Sequence, residues 1–134
     1  MKSAFILPLT FLALTVPLLA QTTPPATVAV TVPTGKPRQV GFFAPINPDC
    51  TTAGDTDTRI VKQPQNGTVE VEAGSGFAVY PEKNPRSACN AKQLQGIRIK
   101  YQSKEAYIGK DTFEVEFLSP NGGDVIWKYA VTVK

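Results

Sequence analysis

The sequence predicts an all-β fold, a two-sheet antiparallel sandwich of seven or eight strands. Three observations carry that expectation. Apolar residues alternate with polar ones in short runs, the period of a half-buried strand. Clusters of Gly, Pro, Asn and Asp separate those runs, which is how an all-β chain is punctuated. No stretch keeps a helical period long enough to compete, and 134 residues suit a single hydrophobic core. A closed barrel is the other arrangement the same pattern allows.

The runs follow in order. Val28, Val30 and Val32 alternate with Ala29 and Thr31, and residues 39–44 hold Val40, Phe42 and Phe43. Residues 59–61 make a short third run, which Pro64-Gln65-Asn66-Gly67 ends in what reads as a tight hairpin turn. Val69 and Val71 alternate with Thr68, Glu70 and Glu72 until Gly74-Ser75-Gly76 interrupts them, and residues 77–80 form a further short run. Ile97, Ile99 and Tyr101 share one face. The last two runs, 111–118 and 124–133, are joined by residues 119–123 as a hairpin. Its inner face would carry Phe113, Val115, Phe117, Val125, Trp127, Tyr129 and Val131. Burial of each large apolar side chain contributes roughly 1.5–3 kcal/mol, which makes this hairpin the expected anchor of the core.

Residues 1–20 read as a secretory signal peptide: Lys2 supplies the positive start, an apolar stretch follows, and Leu18 and Ala20 suit a cut before Gln21. An N-terminal membrane anchor is the alternative, but Pro8 and Pro17 interrupt the stretch short of a span. Residues 21–25 form a polar lead-in, and 26–134 the domain. Nothing later in the chain is apolar enough to insert in a bilayer, so the expected location is the periplasm or the cell exterior. Cys50 and Cys89 are the only cysteines. An even count in an exported domain predicts a disulfide.

One stretch, Tyr107-Ile108-Gly109-Lys110-Asp111-Thr112-Phe113, resembles the Tyr-x-Gly-x-Asp-x-Phe signature of bacterial immunoglobulin-like and cadherin-like modules. Pro64-Gln65-Asn66-Gly67-Thr68-Val69 is similar to the turn-and-strand that precedes it in those modules, and Tyr101 falls near their intervening tyrosine. The resemblance implies an exported immunoglobulin-like sandwich. It also implies structural roles: Tyr107 packing at a corner with its hydroxyl bonded to nearby backbone, Gly109 at positive φ, Asp111 accepting backbone N–H groups, and Phe113 in the core. Neither cysteine sits on the late strand that carries the second bridge cysteine of antibody domains, so here the bridge is expected to pin two loops together.

The chain has no histidine, which excludes imidazole-based catalysis and histidine metal sites. Glu70, Glu72, Glu114 and Glu116 lie at outward strand positions, with Arg98 and Lys100 in the same phase, and are read as a water-facing sheet surface with cross-strand ion pairs. Asp55-Thr56-Asp57 offers two oxygen ligands, short of the six to eight calcium takes, and is read as a solvated acidic turn. No catalytic residue, metal site or cofactor is expected, and a net charge of +3 does not argue for nucleic acid. The remaining candidates are the bridged loops, 44–58 and 81–96, with Asp49, Lys83, Arg86, Asn90 and Lys92 on their surface. Loops on a rigid scaffold are where recognition concentrates. The expected function is non-catalytic binding of an unidentified protein or envelope glycan. The alternatives are a small secreted enzyme inhibitor acting through the tethered loop, or a structural subunit of a surface assembly. The oligomeric state is left open.

Overall fold

The computed structural model describes residues 25–134. The expected leader and nearly all of the lead-in lie outside the described residues. Among those described there are seven strands and no α-helix: β1 (Ala26–Val32), β2 (Arg38–Phe43), β3 (Asp57–Lys62), β4 (Gly67–Gly76), β5 (Leu94–Ser103), β6 (Gly109–Leu118) and β7 (Asp124–Val133), with one 3₁₀ turn at Ser87–Ala91. A four-stranded sheet has the order β1-β7-β6-β3, and a three-stranded sheet the order β2-β5-β4. That splits the strands as an immunoglobulin-type sandwich does, with β1 placed beside the last strand. Pairing is antiparallel throughout except for β1 and β7, which run parallel. Placing the first strand beside the last, on a sheet whose other members alternate in direction, produces that single exception.

The expected alternation sets the core. Phe113, Val115, Phe117, Tyr129 and Val131 of β6 and β7 are buried against Ile99 and Tyr101 of β5. Two aromatic groups fill the space. Phe113 stacks between Tyr129 (4.5 Å between ring centres) and Tyr101 (5.8 Å), while Phe43 stacks on Phe117 at 4.3 Å with Trp127 edge-on to both. The expected hairpin is present, with Val115 opposite Trp127 and Phe113 opposite Tyr129. Val125, at its far end, is exposed rather than inward.

Four further expectations are corrected. Asn66-Gly67 does not close a hairpin, because β3 and β4 lie in different sheets and residues 63–66 cross between them. Neither residue has positive φ. Glycine is required at 67 because a Cβ there would strike the Tyr101 ring and the Gln102 carbonyl. Second, Gly74-Ser75-Gly76 does not break β4, which pairs with β5 through Gly76. Its two glycines face outward beneath the Arg98 guanidinium and the Phe42 ring. Third, residues 77–80 keep the alternation of a strand but join no sheet. Fourth, Glu116 does not face water: it is 5% exposed, covered by the Arg59 side chain directly opposite it on β3. Elsewhere the outer faces behave as expected, with Glu72 paired to Lys100 at 2.7 Å and to Arg98 at 3.1 Å.

Candidate functional site

Three connections gather at each end of the sandwich. At one end, residues 33–37, 63–66 and 104–108 are short and are fastened by side chains. Asp111, 6% exposed, accepts hydrogen bonds from the Gln65, Asn66 and Thr112 amides (3.1, 2.9 and 2.9 Å) and from the Tyr101 hydroxyl (2.8 Å). One carboxylate thereby ties the crossover of residues 63–66 to β5 and β6. Burial, and then the Asp111 hydrogen bond, push the Tyr101 phenol well above its ordinary range. Tyr107 donates to the Lys110 carbonyl at 2.6 Å around Gly109 (φ +141°). Ser103 accepts from the Gly35 amide at 2.8 Å, and Gln102 donates to the Gly35 carbonyl at 2.9 Å. Apart from the Thr112 bond, each of these ties one connection or strand to another.

The other end is built differently. Residues 44–56 and 77–93 are long, and a disulfide joins Cys50 to Cys89 with their Cα atoms 5.5 Å apart. Because Phe43 turns into the sandwich, Phe42 turns to the outer face of the three-stranded sheet, where its ring lies across Gly76 and Gly96. A second, smaller core forms there from Ala44, Ile46, Cys89 and Leu94, with Phe42, Ala78 and Tyr80 packed against it. This explains the alternation of residues 77–80. Ala78 and Tyr80 face the small core, and Phe77 and Val79 face away, 57% and 92% exposed.

The sequence-predicted binding residues divide between scaffold and surface. Arg86 donates from Nε to the Ile46 carbonyl at 2.6 Å, linking the two loops. Asn90 both donates to the Tyr80 carbonyl and accepts from the Tyr80 amide, each at 2.9 Å. Asp49 accepts from the Thr51 hydroxyl (2.6 Å) and amide (3.0 Å), bonds that hold its carboxyl below the usual range. Lys83 and Lys92 are exposed. Asp49 and Lys92 are near enough to interact electrostatically, as the bridge between their loops would lead one to expect.

Beside these residues lies a feature that the sequence pattern does not single out. A cleft of about 450 Å³ opens between the edges of β1 and β2, lined by Val28 and Trp127 from one sheet, Phe42 from the other, and Phe77, Val79 and Tyr80 from the long loop. No ionisable group other than the Tyr80 phenol lines it. A shallower cleft of about 280 Å³ adjoins it across Phe43, Ala44 and Tyr80, and adds Asn47 and Arg86. Volume and aromatic lining fall within the range of ligand sites. Only the clustering of aromatic residues at 42–43 and 77–80 hints at the cleft in the sequence, since its walls come from four separate segments. Among the described residues, no group of three or more Asp, Glu, His or Cys is placed to hold a metal ion. The Asp55-Thr56-Asp57 turn leads directly into β3. Among the described residues, no helix is long and apolar enough to cross a membrane.

Fold and site together define a disulfide-stapled β-sandwich with an aromatic cleft at its bridged end. No protein-family model matches the chain, and no curated protein matches it. Among solved structures, the solution structure of Amebosin aligns with 84% of this chain and all of its own, at 12% identity and a TM-score of 0.45. A likeness of that size bears on neither site nor function.

Proposed function

We propose that this protein is a non-catalytic, exported immunoglobulin-like interaction module. It acts in the periplasm or outside the cell, where the Cys50–Cys89 bridge is stable. Its partner is an unidentified protein or envelope glycan that presents an uncharged apolar or ring-shaped group to the cleft. The observation that carries this reading is the exposure of Phe77 and Val79 at the mouth of an aromatic-walled cleft. Large apolar side chains gathered at one surface cleft mark contact sites far more often than scattered ones do.

Preorganisation adds to it. The bridge, the Arg86–Ile46 bond and the Tyr80–Asn90 pair hold the cleft's loop wall before any partner arrives, which lowers the ordering cost of binding. The test is a pull-down from envelope extract with wild-type protein and with Phe77→Ser/Val79→Ser, two surface changes that leave the core intact. A partner retained by the wild type and lost by the variant is the expected result. Identical recovery by both baits, or recovery of nothing specific together with no enrichment on envelope glycan arrays, would remove the cleft from consideration.

A further inference from the structure

β1 pairs with β7 on one side only; among the described residues nothing pairs with its other edge. Exposed strand edges are ordinarily guarded by charge. β2 carries Arg38, β3 carries Asp57, Arg59 and Lys62, and β4 carries Glu70 and Glu72. β1 alone among the edge strands carries no charge, and its seven residues, Ala-Thr-Val-Ala-Val-Thr-Val, favour the extended state.

The order of those residues is the informative part. Residues 25–33 read Pro-Ala-Thr-Val-Ala-Val-Thr-Val-Pro, which is nearly the same in both directions about Ala29. We propose that the free edge of β1 pairs antiparallel with β1 of a second copy, about a two-fold axis through Ala29. In that register Val28 faces Val30 of the partner on the core side, and Thr27 faces its Thr31 on the solvent side. Ala29 meets its own copy. Only Ala26 opposite Val32 departs from like-with-like pairing. The faces agree with burial, because Thr27, Ala29 and Thr31 are exposed while Val28 and Val30 are half-buried and Val32 is buried. Isologous contact requires this kind of self-complementarity.

The prolines fix the register. With the axis at Ala29, Pro25 lies opposite Pro33, so neither removes a ladder bond from within the paired segment. A slip of two residues places a proline against a paired residue, Thr27 or Thr31. A slip of one turns core-facing valines outward. The dimer joins two four-stranded sheets into one continuous sheet. It does not depend on what occupies the cleft, although Val28 belongs to both surfaces.

Sedimentation velocity on the purified protein, from micromolar to millimolar concentration, tests the proposal, together with two variants at the exposed position 29. Ala29→Lys and Ala29→Glu each place like charges face to face across the axis. Each should weaken association about tenfold, and an equimolar mixture of the two should restore it. Amide exchange of the wild type is the measurement that needs no variant: protection of β1 should rise with concentration. A wild type that stays monomeric, a dimer indifferent to both variants, or β1 exchange independent of concentration would each overturn the assignment.

Discussion

The two ends of this sandwich hold their connections by opposite means. At the Asp111 end, three short turns are fastened by a buried carboxylate and a few hydroxyl and amide bonds. At the bridged end, two long loops are fastened by a covalent bond and a second apolar core. The first solution depends on the rest of the fold, because the acceptors and donors come from strands of both sheets. The second is largely local, which lets the loops carry exposed apolar side chains without loosening the strands beneath. The proposed recognition surface thus falls at the end whose order rests least on the main core.

Asp111→Ala should be the most damaging change at either end. It leaves the Tyr101 hydroxyl and several amides without their acceptor, a loss of about 3–5 kcal/mol by urea denaturation. Removing the bridge with Cys50→Ser/Cys89→Ser opens a 39-residue connection and should cost at most about 4 kcal/mol by the chain-entropy argument. Its signature should be local: amides of residues 44–56 and 77–93 exchange faster while those of β6 and β7 stay protected. If denaturation ranks the bridge above Asp111, or if β6 and β7 lose protection with it, the two ends are not separable in this way. Arg86→Ala removes one link between the loops and should cost about 1 kcal/mol, with the same local exchange pattern as bridge removal but weaker.

Two pH effects separate a buried polar group that has a partner from one that has none. The Arg59 hydrogen bond holds the Glu116 carboxyl below its ordinary value of 4.5. The stability it supplies is present above that value and is lost as pH falls through the lower folded one. Arg59→Ala should remove that part of the acid sensitivity, read from denaturation midpoints between neutral and acid pH. Tyr129 behaves in the opposite sense. Burial raises its phenol above the ordinary 10.0, so its contribution is complete below pH 10 and falls as pH rises further. Its hydroxyl is buried without a partner among the described residues. Tyr129→Phe should accordingly change stability at neutral pH by about zero, or raise it slightly, while extending the alkaline limit.

Much of the scaffold was legible because each inward position of β6, β7 and β5 repeats one period against one core. The disulfide was legible from the even cysteine count together with the expectation of export. What misled the reading was ambiguity in single residues. Asn66-Gly67 carries the chemistry of a tight turn, yet the glycine answers to the Tyr101 ring on the neighbouring strand. Gly74 and Gly76 look like punctuation, but they make room for Arg98 and Phe42. Residues 77–80 alternate because a small core lies on one side of them, not because a neighbouring strand does. Glu116 has the phase of a solvent-facing residue, and only its register with Arg59 reveals the cover. The cleft was hidden for the plainest reason, that its walls meet only after folding.

The long loop offers one last consequence. Between the Tyr80–Asn90 clasp and the Arg86–Ile46 link, residues 81–85 form a bow with both feet nailed down, exposed except at half-buried Asn84, whose side chain accepts from the Arg86 amide. Lengthening or rewriting that bow would leave the nails in place, so it is a natural grafting point.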